Sequence, residues 1–288
     1  MKSKTQIVLN LDQLNASKLI VPLSPRVRLV LVGCGGTGSW LAPAVARVAR
    51  LLNEKFAKDV LVGFVDPDMV EVKNIYRQNF CKAEVGCGKA IALAARYGAA
   101  WGVNIIAFSQ KFSYSVVGDI GNYHYNDLTV LIGCVDNPAA RRDMQGAIRN
   151  IQGTVFWLDC GNVKESGQVL IGRNDPGEKI KTFPFPDKCA WVPLPSRQHK
   201  ELVGKMTEGD DEPENGPVET TGLSCAEIAM LDEQGLTINQ AIASVAADYL
   251  VRLLLTQTLD KFQTYIDLNS GSMKSTYITP VNVRRWKR

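Results

Sequence analysis

Histidine is scarce in this sequence. Only His124 and His199 occur among 288 residues, and neither stands in a Ser/His/Asp or Cys/His pattern. Nothing therefore announces a nucleophile activated by an imidazole. Paired CxxC motifs are missing too, and seven cysteines, at 34, 81, 87, 134, 160, 189 and 225, are an odd number without framework spacing. A disulfide scaffold, a structural zinc and a dithiol redox motif are not supported. No apolar run reaches membrane-spanning length, and the opening MKSKTQIVLNLDQLN has no long apolar region leading to a small-residue cleavage site. The cytoplasm is the expected compartment, with no membrane partner. Charge of one sign is also lacking. The formal balance is only +4, and much of the visible basic bias sits in the ending VRRWKR, which reads as a solvated tail and does not make nucleic acid an expected partner.

Glycine is where it counts. In LVLVGCGGTGSW, residues 29–40, a hydrophobic run breaks into Gly33, Gly35, Gly36 and Gly38 and continues as an alanine-rich amphipathic stretch. That is the pattern of a strand feeding a helix through a turn that holds phosphate. Glycines permit the bend and the close backbone approach, and the free N–H groups and dipole at the helix start attract an anion. The turn alone leaves NAD, FAD and ATP all open.

Further along, strands and helices alternate. Residues 27–32 read as a strand and 39–52 as its helix; 59–66 form a second strand, 89–101 a helix and 103–108 a third strand. Residues 128–136 are a buried strand ending at an acid, followed by a helix that Asn137 can cap and Pro138 can start, and 154–161 are a further strand. The economical fold is α/β: a Rossmann-like, doubly wound, mainly parallel sheet with a C-terminal antiparallel extension. We expect one domain over 1–288, with a nucleotide-binding core at 27–160. A proline-rich polar crossover or partner-binding loop occupies 172–222, and C-terminal helices and a hairpin occupy 223–288.

One constellation narrows the nucleotide. Asp66 closes the second strand, where a ribose diol would sit, and DPDMVEVKNIYRQ at 66–78, Lys89 and VDN at 135–137 follow. Singly, each has an ordinary reading. Asp68 could cap a turn, Asn74 could start a helix, Arg77 could pair on the surface and Lys89 could decorate an exposed face. Together, cations at 77 and 89 suit a triphosphate, and Asp136 at a strand end suits magnesium. ATP is favoured over NAD.

These motifs, with GCGGTG at 33–38 and SCAEIAML at 224–231, resemble the ThiF/MoeB/HesA family, the bacterial relatives of ubiquitin-activating E1 enzymes. The resemblance implies an E1-like adenylation fold and an adenylyltransferase that uses ATP and Mg2+ on the C-terminal carboxylate of a small ubiquitin-like protein with a glycine tail. Asp66 would bind ribose; Asp68, Asn74, Arg77, Gln78 and Lys89 would line the nucleotide; Asp136 would hold the metal; a homodimer is expected. Cys225 matches a cysteine of relatives and would attack the adenylate or carry sulfur, with a small buried cysteine as the plain alternative; Cys189 is a second candidate. The family's zinc-holding CxxC pairs and its N-terminal arginine segment are absent, and Arg26 and Arg28 cannot be given that arginine's role. The C-terminal part looks most like ThiF-type proteins of the plasmid-associated PRTRC gene system. Adenylation of a peptide or tRNA-linked carboxylate, and a non-catalytic nucleotide- or partner-binding scaffold, are the alternatives.

Overall fold

In the computed structural model, which describes residues 11–122, 126–204 and 235–286, the architecture is set by one eight-stranded sheet. The strands, in chain order, are β1 (Lys18–Leu19), β2 (Arg26–Val32), β3 (Asp59–Val65), β4 (Ile105–Phe108), β5 (Leu128–Gly133), β6 (Thr154–Asn162), β7 (Ser166–Arg173), β8 (Lys188–Cys189), β9 (Lys261–Asp267) and β10 (Ser272–Tyr277). The main sheet runs β10-β9-β7-β6-β5-β2-β3-β4, and β1 and β8 pair separately. Strands β4, β3, β2, β5 and β6 are mutually parallel; β7, β9 and β10 add on antiparallel.

Burial explains the composition of the central strands. In β2, Leu29 and Leu31 face one hydrophobic cluster, while Val30 and Val32 face the other. A strand covered on both faces must be apolar throughout, which is why it reads as a continuous run. The first face is covered by α1 (Gly36–Phe56), α2 (Lys89–Trp101) and the long helix Leu236–Leu254, numbered α6 below. The second is covered by α3 (Tyr114–Asp119) and α4 (Pro138–Asn150), with Val116, Val117, Met144 and Ile148 buried. The short helices α5 (Pro195–Gln198) and α7 (Pro280–Arg284) complete the set. No described helix is long and apolar enough to cross a membrane.

The order of the parallel strands has one functional consequence. Connections from β2 lead to β3 on one side, whereas β5 lies on the other, so a crevice opens between the carboxyl ends of β2 and β5. The glycine turn and the segment Cys134 to Asn137 flank that crevice.

Several expectations need correction. The expected first strand, β2, begins at Arg26 rather than at 27, and Arg26 and Arg28 are both structural. Arg26 pairs with Asp59 at 2.6 Å, and Arg28 is fully buried against Asp127 at 3.1 Å. Five residue steps along the strand, ~16 Å, separate Arg28 from Gly33. The basic ending is not wholly a solvated tail, because Trp286 packs edge-on against Phe262 with ring centroids 5.7 Å apart. Cys189 is buried in β8, where its thiol donates to the Trp191 carbonyl at 3.0 Å, so it presents no accessible nucleophile. Cys225 and His124 lie outside the described residues.

Candidate active site

The glycine turn is built by exclusion of side chains. Gly33 has φ +87°, and a Cβ there would lie 2.5 Å from the Cys134 carbonyl oxygen; a Cβ on Gly38 would lie 1.9 Å from the Gly33 oxygen. The turn, the first turn of α1 and the end of β5 therefore meet backbone to backbone. Gly35 differs: a Cβ would meet only the Gln78 amide nitrogen, at 3.7 Å. Thus Gly33 and Gly38 serve the fold, whereas Gly35 faces the crevice beside Gln78. The Gly36 nitrogen opens α1 at the same place, where N–H groups lack intrahelical partners.

Asp66, at the end of β3, is almost wholly buried. One carboxylate oxygen accepts the Cys34 N–H at 2.6 Å and the other accepts the Asp68 N–H at 2.8 Å. Burial raises its carboxyl above the ordinary range, and Lys89 and those two N–H groups oppose the rise. Lys89 begins α2. Its ammonium reaches Asp68 at 2.7 Å, and its stem is buried rather than lying on an exposed face. The acids and the lysine thus form one linked group beneath the turn.

The segment after Asp68 is fastened on both sides. Asn74 is buried in a 3-10 turn (Val72–Tyr76), where its side-chain oxygen accepts the Glu71 N–H at 2.8 Å. Arg77 follows as the cap of that turn, half-buried, its carbonyl accepting the Trp40 indole N–H at 3.2 Å. Asn79 is held to α1 by the Ser39 hydroxyl and to α2 by the Tyr97 hydroxyl, at 2.9 and 2.8 Å. Between these anchors Gln78 is buried, and its side-chain oxygen has no hydrogen-bond partner among the described residues. A buried unpaired amide oxygen is costly unless something else satisfies it.

Across the crevice, Asp136 is exposed just beyond β5. Among the described residues its carboxylate accepts only the Asn137 amide, at 3.3 Å, and the Asn137 oxygen caps α4 by accepting the Ala140 N–H at 2.8 Å. Among the described residues there is no group of three or more His, Cys, Asp or Glu that could cage a metal. One exposed carboxylate does fit Mg2+, which keeps waters and takes the remaining ligands from substrate phosphates. A cavity of about 330 Å³ lies instead at the opposite end of the sheet among Ser24, Asp127, Thr154 and Arg173.

The structure thus gathers Gly33, Gly35, Gly36, Gly38, Asp66, Asp68, Gln78 and Lys89 on one side of the crevice and Asp136 on the other, with Asn74 inside the turn that presents Arg77. A ThiF-family model matches residues 24–284. The chain belongs to the ThiF family. Among solved structures, Escherichia coli MccB with AMPCPP and MccA aligns with TM-score 0.53 and 15% identity, covering 88% of this chain and 65% of that one. MccB with ATP gives 0.52 and 15%, with 88% and 65% covered. PaaA gives 0.51 and 15%, covering 88% and 64%. This ThiF-family chain therefore spans slightly less than two thirds of those proteins, and at such identity the likeness speaks for the E1-like adenylation fold. None of the curated proteins matches the chain.

Two further groups near the crevice carry weaker marks in the sequence. Thr37 in α1, Asn162 at the end of β6 and fully buried Asn239 in α6 form a hydrogen-bonded set, 3.1 to 3.2 Å apart, that fixes the start of α6 beside the turn. The second is a buried ion pair, Arg141 with Asp159, at 3.0 Å. An acid inside the apolar strand pattern TVFWLDCG is the sequence mark of such a pair, since a buried carboxylate needs a partner.

Proposed function

We propose that the protein is an ATP-dependent adenylating enzyme that activates the C-terminal carboxylate of a small ubiquitin-like protein ending in glycines. The observation that carries the reading is the crevice at the β2/β5 switch point. It has a glycine turn closed to side chains on one wall, an unpaired buried Gln78 oxygen behind it, and a single exposed carboxylate, Asp136, opposite. Membership of the ThiF family and the fold shared with MccB, solved with ATP and with AMPCPP and MccA, support it.

In this reading the N–H groups at the start of α1 bind the phosphates, Asp66 accepts from the ribose hydroxyls, and Gln78 pairs with a nucleotide donor. Lys89 and Arg77 offset negative charge along the triphosphate. Asp136 is the residue that would hold Mg2+, which supplies charge neutralisation at the phosphate oxygens when bound. An acceptor carboxylate oxygen attacks the α-phosphorus, a P–O bond forms, and the bond to the β-phosphate oxygen breaks to release pyrophosphate. No proton moves, since a C-terminal carboxylate is ionised at neutral pH. The chain's task is therefore positioning and charge stabilisation, which suits a sequence with two histidines. Homodimer formation, and thioester formation or sulfur transfer through Cys225, belong to the same proposal; a PRTRC-type setting would mean protein conjugation or processing in place of sulfur supply.

Because MccB was solved with MccA, a short peptide is the second acceptor to test. The experiment is pyrophosphate exchange into ATP with a glycine-tailed ubiquitin-like protein or a peptide, preceded by calorimetric titration of ATP with Mg2+ and of NADH. ATP binding that weakens in Asp136→Ala, together with acceptor-dependent exchange, supports the reading. Binding of NADH in place of ATP overturns it, and ATP binding without exchange for any acceptor would indicate a scaffold.

A further inference from the structure

Arg141 sits in the second turn of α4, five residues beyond Asp136, and its side chain is 8% exposed. A guanidinium buried to that degree is expected to meet its carboxylate with two parallel bonds. Here it does not. Only its Nε reaches Asp159, at 3.0 Å, and the second Asp159 oxygen is buried without a hydrogen-bond partner among the described residues. The two amino groups of Arg141 make no hydrogen bond to a described residue either. Nη2 instead points toward the end of β6, where a Cβ on Gly161 would lie 3.3 Å from it. The absent side chain at Gly161 thus leaves the fork uncovered, and the Gln168 amide of β7 flanks the same point at 3.7 Å.

Among the described residues Asp159 is the one acid paired with Arg141, and the pairing runs through Nε. His199 is itself engaged, its ring bonded to Glu201 at 2.8 Å and to the Tyr265 hydroxyl. The arrangement is a fixed, partly used guanidinium: its orientation is locked by Asp159 through Nε, and Nη2 faces the side-chain-free position at Gly161, one strand from the Asp136 loop.

We propose that Arg141 is a carboxylate-recognition residue, held in place by Asp159, that receives the C-terminal carboxylate of the acceptor over Gly161 before it attacks. The assignment deepens the adenylation reading and rests on it for the source of the carboxylate; the geometry itself calls for an anion whose oxygens accept from Arg141 Nη2 and from the Gln168 amide nitrogen beside it. Asp159 is then a positioning residue, and glycine at 161 is required so that the ligand can approach.

The test uses the full-length protein without nucleotide and a defined probe, N-acetylglycylglycine as the free acid and as the C-terminal amide, titrated into isotope-labelled protein while the Gly161 and Gly133 amide signals are followed. Saturable shifts with the acid and not with the amide are expected. Because Arg141→Met alone strands a buried acid, the variants are Arg141→Lys and the double Arg141→Met/Asp159→Asn, with folding checked by thermal melting. Acid binding should weaken roughly 10- to 100-fold in both, while calorimetric ATP–Mg2+ affinity stays at the wild-type value. Equal shifts from acid and amide, the absence of saturable shifts at Gly161, or undiminished binding in a folded double variant would each overturn the proposal. Failure of ATP to bind the wild type would instead overturn the nucleotide reading alone, since the acid is titrated without it.

Discussion

Gly38→Ala and Gly35→Ala separate the two duties of the glycine turn. At position 38 the new methyl would lie 1.9 Å from the Gly33 carbonyl oxygen, 2.9 Å from its carbon and 3.3 Å from the Cys134 Cβ. Ordinary contact needs more than 3 Å, so the first turn of α1 must move by over 1 Å against a backbone already fixed by the Gly33 N–H to the Val65 carbonyl and the Cys134 N–H to the Val32 carbonyl. Overpacking of this kind costs about 1–3 kcal/mol, and with backbone as the obstacle we expect the upper end, about 3 kcal/mol, together with loss of the anion cradle. At position 35 the methyl meets only a side-chain amide at 3.7 Å, so stability should fall by about 1 kcal/mol or less. That methyl nevertheless occupies ligand space beside Gln78, and ATP–Mg2+ affinity should drop at least ~10-fold. Urea unfolding and calorimetry on both variants read the two effects. If Gly38→Ala melts and binds like the wild type, the close approach of α1 to the turn is wrong; if Gly35→Ala keeps full affinity, the crevice beside Gln78 is not the phosphate site.

Other expectations follow from the same contacts. Asp127→Ala leaves fully buried Arg28 without its carboxylate, and should cost about 3–5 kcal/mol in urea unfolding with no change in ATP affinity for the protein that remains folded. Gly146→Ala, at an exposed site inside α4 where a Cβ meets nothing within 4 Å, should stabilise by about 0.5–1 kcal/mol; a lower unfolding midpoint would contradict the helix assignment. Burial raises the carboxyl of Asp66 in the folded state. The folded protein therefore takes up this proton at higher pH than the unfolded chain, so its contribution to stability improves as pH falls between the folded value and the usual ~3.9. A carbon-detected titration of Asp66 with a midpoint at or below that usual value would refute the burial argument.

Much of the sheet was legible because its residues obey simple periodicities. The run 27–32 was apolar at every position but Arg28, and the 89–101 helix has the bounds observed, Lys89–Trp101, because Gly88 and Gly102 punctuate it. The terminal hairpin was visible in its Ser-Gly-Ser turn, residues 270–272, and β9 and β10 pair antiparallel there. What escaped depended on long-range pairing. The β1–β8 ladder joins Lys18 to Lys188 and Leu19 to Cys189, two residues on each side with no local signal. Strand β7 contains Gly167 and Gly172, which depress strand propensity, yet Gly172 is where Leu194 and Pro193 press on the sheet. At the site, the residue types at 66, 68, 89 and 136 could be picked out by charge and spacing, and Gln78 only through the family resemblance. Their states could not: Lys89 is engaged by Asp68, Asp66 by two N–H groups, and the Asn74 oxygen by Glu71. Nor could spacing alone disclose that Arg28, far from being a mobile cation, anchors the opposite end of β2.

The antiparallel extension also determines how the sheet stops. A sheet exposes a row of unpaired N–H and C=O groups at each margin, and such a row can recruit further strands from other molecules. Here one margin is β4, only four residues long. The other is β10, whose sequence SMKSTY is mostly polar, carries Lys274 and is interrupted by a register shift between Thr276 and Tyr277. Adding β7, β9 and β10 therefore moves the outer margin away from the apolar parallel strands and ends it in a short, charged and irregular ribbon, so the same chain segment that widens the fold guards it against end-to-end growth into fibrils.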